Sequence, residues 1–108
     1  MMKIRQGTTD TINIRIPDSI DLTAITEAWL YIDFGGILKL DKTLEDMVVE
    51  ADAKRIFCPL TQTETLALPA EQTGYIQLRM LDNNGTAYTS DPQVPVFVEK
   101  AYKGGVIA

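Results

Sequence analysis

The chain has 108 residues, of which 45% are hydrophobic and 23% charged, with 10 basic against 15 acidic side chains. This composition is typical of one globular domain and argues against a disordered chain. The net charge of −5, with no basic cluster larger than the pair Lys54-Arg55, predicts that nucleic acid is not a partner. No apolar run approaches the roughly 18 residues of a membrane-spanning helix, so no membrane partner is predicted either.

We expect one domain over residues 1–102 and a C-terminal tail over residues 103–108. A domain of this size buries roughly 65% of its unfolded surface, so it can fold without metals or disulfides. The first seven residues lack the apolar segment of a signal peptide, which predicts folding in the cytoplasm.

Hydrophobic alternation with a period of two predicts the first strands. Residues 11–16 place three isoleucines on one face, and residues 28–34 repeat the pattern. In this second strand the inward residues are Ala28, Leu30, Ile32 and Phe34, and the outward residues are Trp29, Tyr31 and Asp33. Gly35-Gly36 predicts a tight hairpin turn into a strand over residues 37–40.

The middle of the chain predicts two strands and the only clear helix. Residues 47–51 and 55–60 flank a turn, and Pro59 restricts the second strand to a sheet edge or a strand end. Its inward residues are Ile56, Cys58 and Leu60. Thr61 and Glu64 have the spacing of a capping box, which predicts a short helix that ends before Pro69. A looser turn is expected at residues 21–25.

The last third predicts three strands. Residues 75–81 alternate with Ile76, Leu78 and Met80 inward, and Asn84-Gly85 predicts a type I′ hairpin into residues 86–90. After a turn at Asp91-Pro92, residues 94–98 form a final strand that Pro95 assigns to an edge. About eight short strands with one short helix predict an all-β fold, an immunoglobulin-like antiparallel β-sandwich without the Cys…Trp…Cys pattern of antibody domains.

The residue inventory disfavours an enzyme. Histidine is absent, which removes the commonest general base and the commonest metal ligand. Both serines, Ser19 and Ser90, stand beside aspartate in turn-like sequence. Cys58 occupies an inward strand position, where cysteine usually acts as a small apolar residue. We therefore predict no catalytic residues and no cofactor.

One acidic stretch, residues 41–52, offers carboxylates for chemistry. A pair of them could serve a glycosidase, or several could hold calcium. A solvated loop and strand edge is the favoured interpretation, because charge runs usually face water. The five carboxylates are Asp41, Glu45, Asp46, Glu50 and Asp52. Asp82-Asn83-Asn84-Gly85 lacks the spaced ligands of a calcium loop, so no metal site is predicted.

Four aromatic residues fall opposite the face that carries most aliphatic side chains, and they are the candidate interface. Large aromatics on an exposed sheet face are typical anchors of protein interfaces. Burial of Trp29 in the core remains an alternative, because tryptophan is highly buried on average. The four candidates are Trp29, Tyr31, Tyr75 and Phe97.

Several short segments resemble a known group of proteins. They are Arg5-Gln6-Gly7-Thr8-Thr9 before an alternating strand, Leu60-Thr61-Gln62-Thr63-Glu64-Thr65-Leu66, Gln77-Leu78-Arg79 and Gly105-Val106-Ile107. In this order they are similar to small prophage-encoded proteins of Gram-positive bacteria, which in turn resemble the N-terminal domain of the phage baseplate upper protein. The resemblance implies a β-sandwich, multimeric assembly and a structural role without catalysis.

The leading hypothesis is a phage or prophage structural protein, a tail or baseplate module that acts by protein–protein contact. Its partners would be other phage structural proteins or a second copy of itself. It would be made in the bacterial host cytoplasm and carried in the virion once assembled. The alternative is a carbohydrate-binding β-sandwich that stacks sugar rings on Trp29 and Tyr31, and an enzyme using carboxylates alone ranks last.

Overall fold

The computed structural model describes residues 2–89 and 94–101. The predicted turn at Asp91-Pro92, Ser90 and the predicted tail over residues 103–108 lie outside this part of the chain. Two short 3-10 turns, Leu22–Ala24 and Leu44–Asp46, accompany the main elements. The main elements are β1 (Met2–Arg5), β2 (Thr11–Arg15), β3 (Ile25–Phe34), β4 (Ile37–Thr43), β5 (Val48–Glu50), β6 (Arg55–Pro59), α1 (Gln62–Leu66), β7 (Thr73–Asp82), β8 (Ala87–Thr89) and β9 (Val94–Glu99).

The strands form two sheets that share one core. The larger sheet has the order β1-β9-β7-β3-β4, and β8 also pairs with β7. The smaller sheet has the order β2-β6-β5. The all-β sandwich predicted from the sequence is confirmed, and every predicted strand has a counterpart.

The strand β1 is an addition that the sequence did not predict. It pairs in parallel with β9, from Met2 opposite Val96 to Arg5 opposite Glu99, whereas the other pairings in the described part of the chain are antiparallel. The strand has only four residues, and Ile4 is the one buried side chain among them. Such a short segment shows too little hydrophobic alternation for a strand to be predicted from the sequence. Its partner also lies more than ninety residues away.

Alternate side chains from both sheets form the core, as the period-two pattern predicts. The inward positions of β2, β3, β6 and β7 are buried, and Cys58 is 0% exposed. In β9, Val96 and Val98 are buried, while Val94 lies at the margin. The largest fully buried core residues include Ile12, Leu30, Ile32, Ile56, Ile76 and Leu78.

Of the two proline predictions, one is confirmed and one is wrong. Pro59 ends its strand, which is one of the two positions predicted for it, and β6 is the central strand of the smaller sheet. The strand β9 is also internal, between β1 and β7. Pro95 is tolerated there because it pairs only with Tyr75 of β7, since the β1 ladder begins one residue later at Val96.

The two hairpins of the larger sheet, β3–β4 and β7–β8, differ in turn chemistry. Gly35 and Gly36 have φ values of 61° and 96°, as the predicted two-residue turn requires. The predicted type I′ turn at Asn84-Gly85 is wrong, because in that hairpin only Gly85 has a positive φ, 83°. Its N–H donates to the Asp82 carbonyl at 3.1 Å, so a type I turn is followed by a left-handed glycine. The Asp82 carboxylate explains this choice, because it accepts from the N–H groups of Asn84 and Thr86, each at 2.9 Å.

The short helix α1 joins the N-terminal loop through a buried threonine. The predicted capping box is present, with Thr61 and Glu64 bonding each other's backbone N–H. Thr65 is 0% exposed. Its hydroxyl accepts from the Gly7 N–H at 3.0 Å and donates to the Thr8 carbonyl at 2.8 Å. This hydroxyl therefore satisfies two backbone groups of the segment between β1 and β2.

Replacing Thr65 tests this role. Thr65→Val keeps the shape but leaves the Gly7 N–H and the Thr8 carbonyl without their partner, so we expect the free energy of unfolding to fall by about 2 kcal/mol. Thr65→Ser keeps the hydroxyl and removes one methyl group, which should cost about 1 kcal/mol. Urea unfolding of the three proteins checks the order. A serine variant as unstable as the valine variant would contradict the hydrogen-bonding role.

A glycine in β7 makes room for the core. A Cβ atom on Gly74 would lie 2.6 Å from Ile32 Cγ2 and 2.6 Å from Phe34 Cε1. We expect Gly74→Ala to lower the free energy of unfolding by about 1–3 kcal/mol, because neighbouring core side chains must leave their rotamers. Thr73→Ala, on the exposed face of the same strand, is the matched control for a urea titration. Equal urea midpoints for the two variants would contradict this prediction, because they would show that the core accommodates the added methyl group without loss of stability.

The ion pair between Lys42 and Glu64 ties β4 to α1. The two side chains are 12% and 27% exposed, respectively. Burial opposes both charges, but their hydrogen bond and mutual attraction prevail, which raises the pKa of Lys42 and lowers the pKa of Glu64. The contribution of Glu64 to stability is present above its ordinary pKa of 4.5 and disappears as the pH falls through its lower folded pKa. The contribution of Lys42 is present below its ordinary pKa of 10.5 and disappears as the pH rises through its higher folded pKa.

This linkage predicts a pH-dependent variant. Glu64→Gln keeps the capping-box geometry and removes the charge, so we expect it to cost about 1 kcal/mol of unfolding free energy at pH 7. That difference from the native chain should shrink in acid, below the folded pKa of Glu64. Urea unfolding at both conditions measures it, with the exposed Glu45→Gln as control. A difference that does not change with pH would assign the effect to something other than the charge.

Candidate interaction surface

The candidate site is the solvent-facing side of the larger sheet, called here the outer face. Because side chains alternate along a strand, β3 and β7 send every second residue to this side. Register places these residues in rows across neighbouring strands. One row is Thr43, Trp29, Arg79 and Thr89; the next is Tyr31 and Gln77; a third is Leu38, Asp33, Tyr75 and Pro95.

All four predicted interface aromatics lie on the outer face. Trp29 is 47% exposed and Tyr75 is 45% exposed. Tyr31 and Phe97 are half-buried. The core alternative for Trp29 is therefore wrong. The four positions follow a diagonal across β3, β7 and β9, since Phe97 lies opposite Thr73, two residues before Tyr75.

Neighbouring polar groups hold two of the aromatic rings. The guanidinium of Arg79 lies over the ring of Trp29, 5.7 Å from its centroid, which is a cation–π contact. The hydroxyl of Tyr31 donates to Oε1 of Gln77. Both contacts join directly opposite residues of β3 and β7. The rings are thus partly ordered before any partner arrives, which lowers the entropic cost of binding.

Two hollows flank the ridge formed by Trp29 and Tyr31. One, of about 160 Å³, lies beside Trp29 and Arg79 and includes Leu81 and Ala87 of the neighbouring row. The other, of about 320 Å³, lies against Tyr31 and the β4 residues 38–41. The backbone of β4 is displaced there by a bulge, at which Leu40 has a φ of 65°. The ridge and the two hollows make the outer face uneven, and a partner of complementary shape could pack against it.

The acidic stretch does not converge on a site. Its five carboxylates, named above, are all exposed and lie on β4, the second 3-10 turn, β5 and the turn after it. Asp46 accepts from the Thr43 N–H at 3.0 Å and so acts as a local cap. Within residues 2–89 and 94–101, no group of three or more His, Cys, Asp or Glu side chains is placed to hold a metal ion.

Cys58 has the environment of a core residue. Burial raises the pKa of its thiol to about 11, although the charge of nearby Lys42 lowers it. The thiol is therefore protonated at neutral pH and is not an activated nucleophile.

Comparisons with known proteins supply no family: no protein-family model matches the chain, and no curated protein matches it. In the described part of the chain, no helix has the length and apolar character needed to cross a membrane.

Sequence reasoning missed several residues of the outer face. Alternation in β7 would have placed Gln77 and Arg79 on the outer face, because both lie between inward residues of the strand. Leu38 is 61% exposed and lies opposite Asp33. A two-residue turn at Gly35-Gly36 already implies that pairing. The hollow beside Trp29 could not be predicted from neighbouring residues in the sequence, because it depends on how β8 pairs with β7.

Proposed function

We propose that the chain is a non-catalytic structural module of a phage or prophage tail or baseplate, and that it acts by protein–protein contact through the outer face. The observation that carries this proposal is the placement of four aromatic residues on one side of the larger sheet. Two of them, Trp29 and Tyr75, are nearly half exposed.

The chemistry of this surface supports a protein partner. Trp, Tyr and Arg are the residues most enriched where truncation weakens protein interfaces most. Here Trp29, Tyr31, Tyr75 and Arg79 are close neighbours, and exposed Leu38 extends the apolar area at one side. Polar groups lie among them, as in interfaces whose partners also exist apart.

Two of the segments that carry the phage resemblance, residues 5–9 and 60–66, meet in space. Gln6 donates from Nε2 to the Leu68 carbonyl at 2.7 Å and accepts at Oε1 from the Ala101 N–H at 3.3 Å. Gly7 and Thr8 bond to Thr65 of α1, as described above. These contacts give the Gln6-Gly7-Thr8 segment and the helix a joint structural role, which supports a shared fold as the source of the resemblance.

The proposal predicts that the chain is a component of particles. We expect its peptides in tail particles purified after prophage induction from the strain that carries the gene, measured by quantitative mass spectrometry. Trp29→Ala in the gene should lower its content about tenfold, because the central aromatic anchor is lost. Val48→Ala, which removes an exposed apolar side chain from the smaller sheet, is the matched control.

Particles rich in other tail proteins but free of this chain would overturn the proposal. Equal incorporation of the Trp29→Ala and Val48→Ala chains would show that the outer face is not the contact surface. Both variants must first match the native chain in urea unfolding, so that loss of incorporation is not loss of folding.

Carbohydrate binding remains the alternative prediction. It is favoured by the exposed ring of Trp29 beside a hollow of about 160 Å³. Less favourably, Arg79 occupies the space over that ring and the Tyr31 hydroxyl is already bonded to Gln77. A glycan array without Trp29-dependent binding would end this alternative.

A further inference from the structure

We propose that two copies of the chain associate through their outer faces, related by a two-fold axis that runs parallel to the strands between β3 and β7. The inference rests on the proposed function, since it names a second copy as a partner of the same surface. A two-fold interface uses one patch on both subunits, so that patch must complement itself. The rows of the outer face have this property.

The central rows pair well under this rotation. The axis exchanges the positions of β3 and β7, so residues opposite each other within one sheet also face each other between the two copies. Trp29 then faces the partner's Arg79, whose guanidinium meets the part of the ring that the chain's own Arg79 leaves exposed, so the same pair of residue types is in contact between the copies. Tyr31 likewise faces the partner's Gln77, whose amide N–H can donate to the Tyr31 hydroxyl oxygen while that hydroxyl keeps its own bond to Gln77 within the chain.

The third row is also complementary. Asp33 faces the partner's Tyr75, whose hydroxyl is a donor for a carboxylate. At the margins, Leu38 of β4 faces the partner's Pro95, so the exposed leucine meets an apolar ring. These rows bring no two like charges opposite each other, which would otherwise oppose self-association.

The area of the patch is sufficient for a dimer. The strands β3 and β7 have ten residues each, and β4 and β9 flank them. With a rise of about 3.4 Å and a strand spacing of about 4.8 Å, four strands cover roughly 600 Å² per copy. A standard interface buries about 800 Å² per partner, so this patch fits a reversible dimer near the lower end of the range of interface sizes.

An axis parallel to the strands also keeps the strands of the two stacked sheets aligned, which is the common geometry of sheet packing.

Sedimentation and light scattering over a wide concentration range test the association. We expect a reversible species of twice the 12.0 kDa chain mass. Trp29→Ala and Arg79→Ala should each weaken the dimer at least tenfold, since each removes both Trp–Arg contacts between the copies. Val48→Ala, on the opposite side of the sandwich, should leave the dissociation constant unchanged. Urea midpoints equal to that of the native chain confirm that the variants are folded.

Mixing the two variants tests the axis itself. In a heterodimer of Trp29→Ala with Arg79→Ala, one Trp29 still faces one Arg79, whereas neither homodimer keeps such a contact. The mixture should therefore dimerise about tenfold more tightly than either variant alone. A mixture no tighter than its components would overturn this arrangement.

The outcomes separate this inference from the proposed function. A monomer at every concentration overturns the two-fold dimer, while the presence of the chain in particles still supports the structural role. A Trp29-dependent dimer that is absent from particles supports the dimer and overturns the structural role.

Discussion

The pairing of β3 with β7 is the interaction on which the rest of the structure depends. Eight paired positions run from Ile25 opposite Asp82 to Asp33 opposite Tyr75. After a register shift between Ile25 and Glu27, one register continues to Asp33. Because side chains alternate, this register sends Leu30 and Leu78 into the core and leaves Trp29 outside. A slip of one residue would exchange the two faces and bury charged groups without partners. The same register that stabilises the sandwich therefore also builds the outer face.

Polar contacts lie at the margins of the sandwich and fix its connections. Gln6 and Thr65 hold the N-terminal loop against α1, and Lys42 with Glu64 closes the side between β4 and the helix. In the described residues, no buried side-chain nitrogen or oxygen lacks a hydrogen-bond partner. The packing of the core does not depend on polar contacts, because the alternation and the shapes of the apolar side chains already determine it. Satisfied polar groups instead determine where loops and the helix attach.

Sequence patterns recovered the elements whose cause is local. The capping box of α1, the glycine turn after Phe34 and the inward faces of β2, β3, β6 and β7 follow from neighbouring residues alone. Features that depend on distant partners were not recoverable. The strand β1 exists because β9 pairs with it, and the position of Pro95 is acceptable only because that pairing starts one residue later. The turn after Asp82 differs from the prediction because a side chain, not only the Asn-Gly pair, selects its form.

The candidate site likewise combines features with local and with distant causes. Alternation was sufficient to place Trp29, Tyr31, Tyr75 and Phe97 on one side of the sheet. The exposure of Trp29 was not predictable in this way, because it depends on no further layer covering β3 in the described part of the chain. The contacts of Arg79 and Gln77 with these rings required the β3–β7 register, which no single strand contains.

The parallel pairing of β1 with β9 has a consequence for biosynthesis. During translation β1 leaves the ribosome more than ninety residues before its ladder partner β9. At a typical synthesis rate of about 5–20 residues per second, that interval lasts several seconds. Throughout it Ile4, buried in the finished protein, has no sheet in which to insert. The larger sheet can therefore close only after β9 has emerged, and this late, non-local step is where we expect chaperones or aggregation to compete with folding.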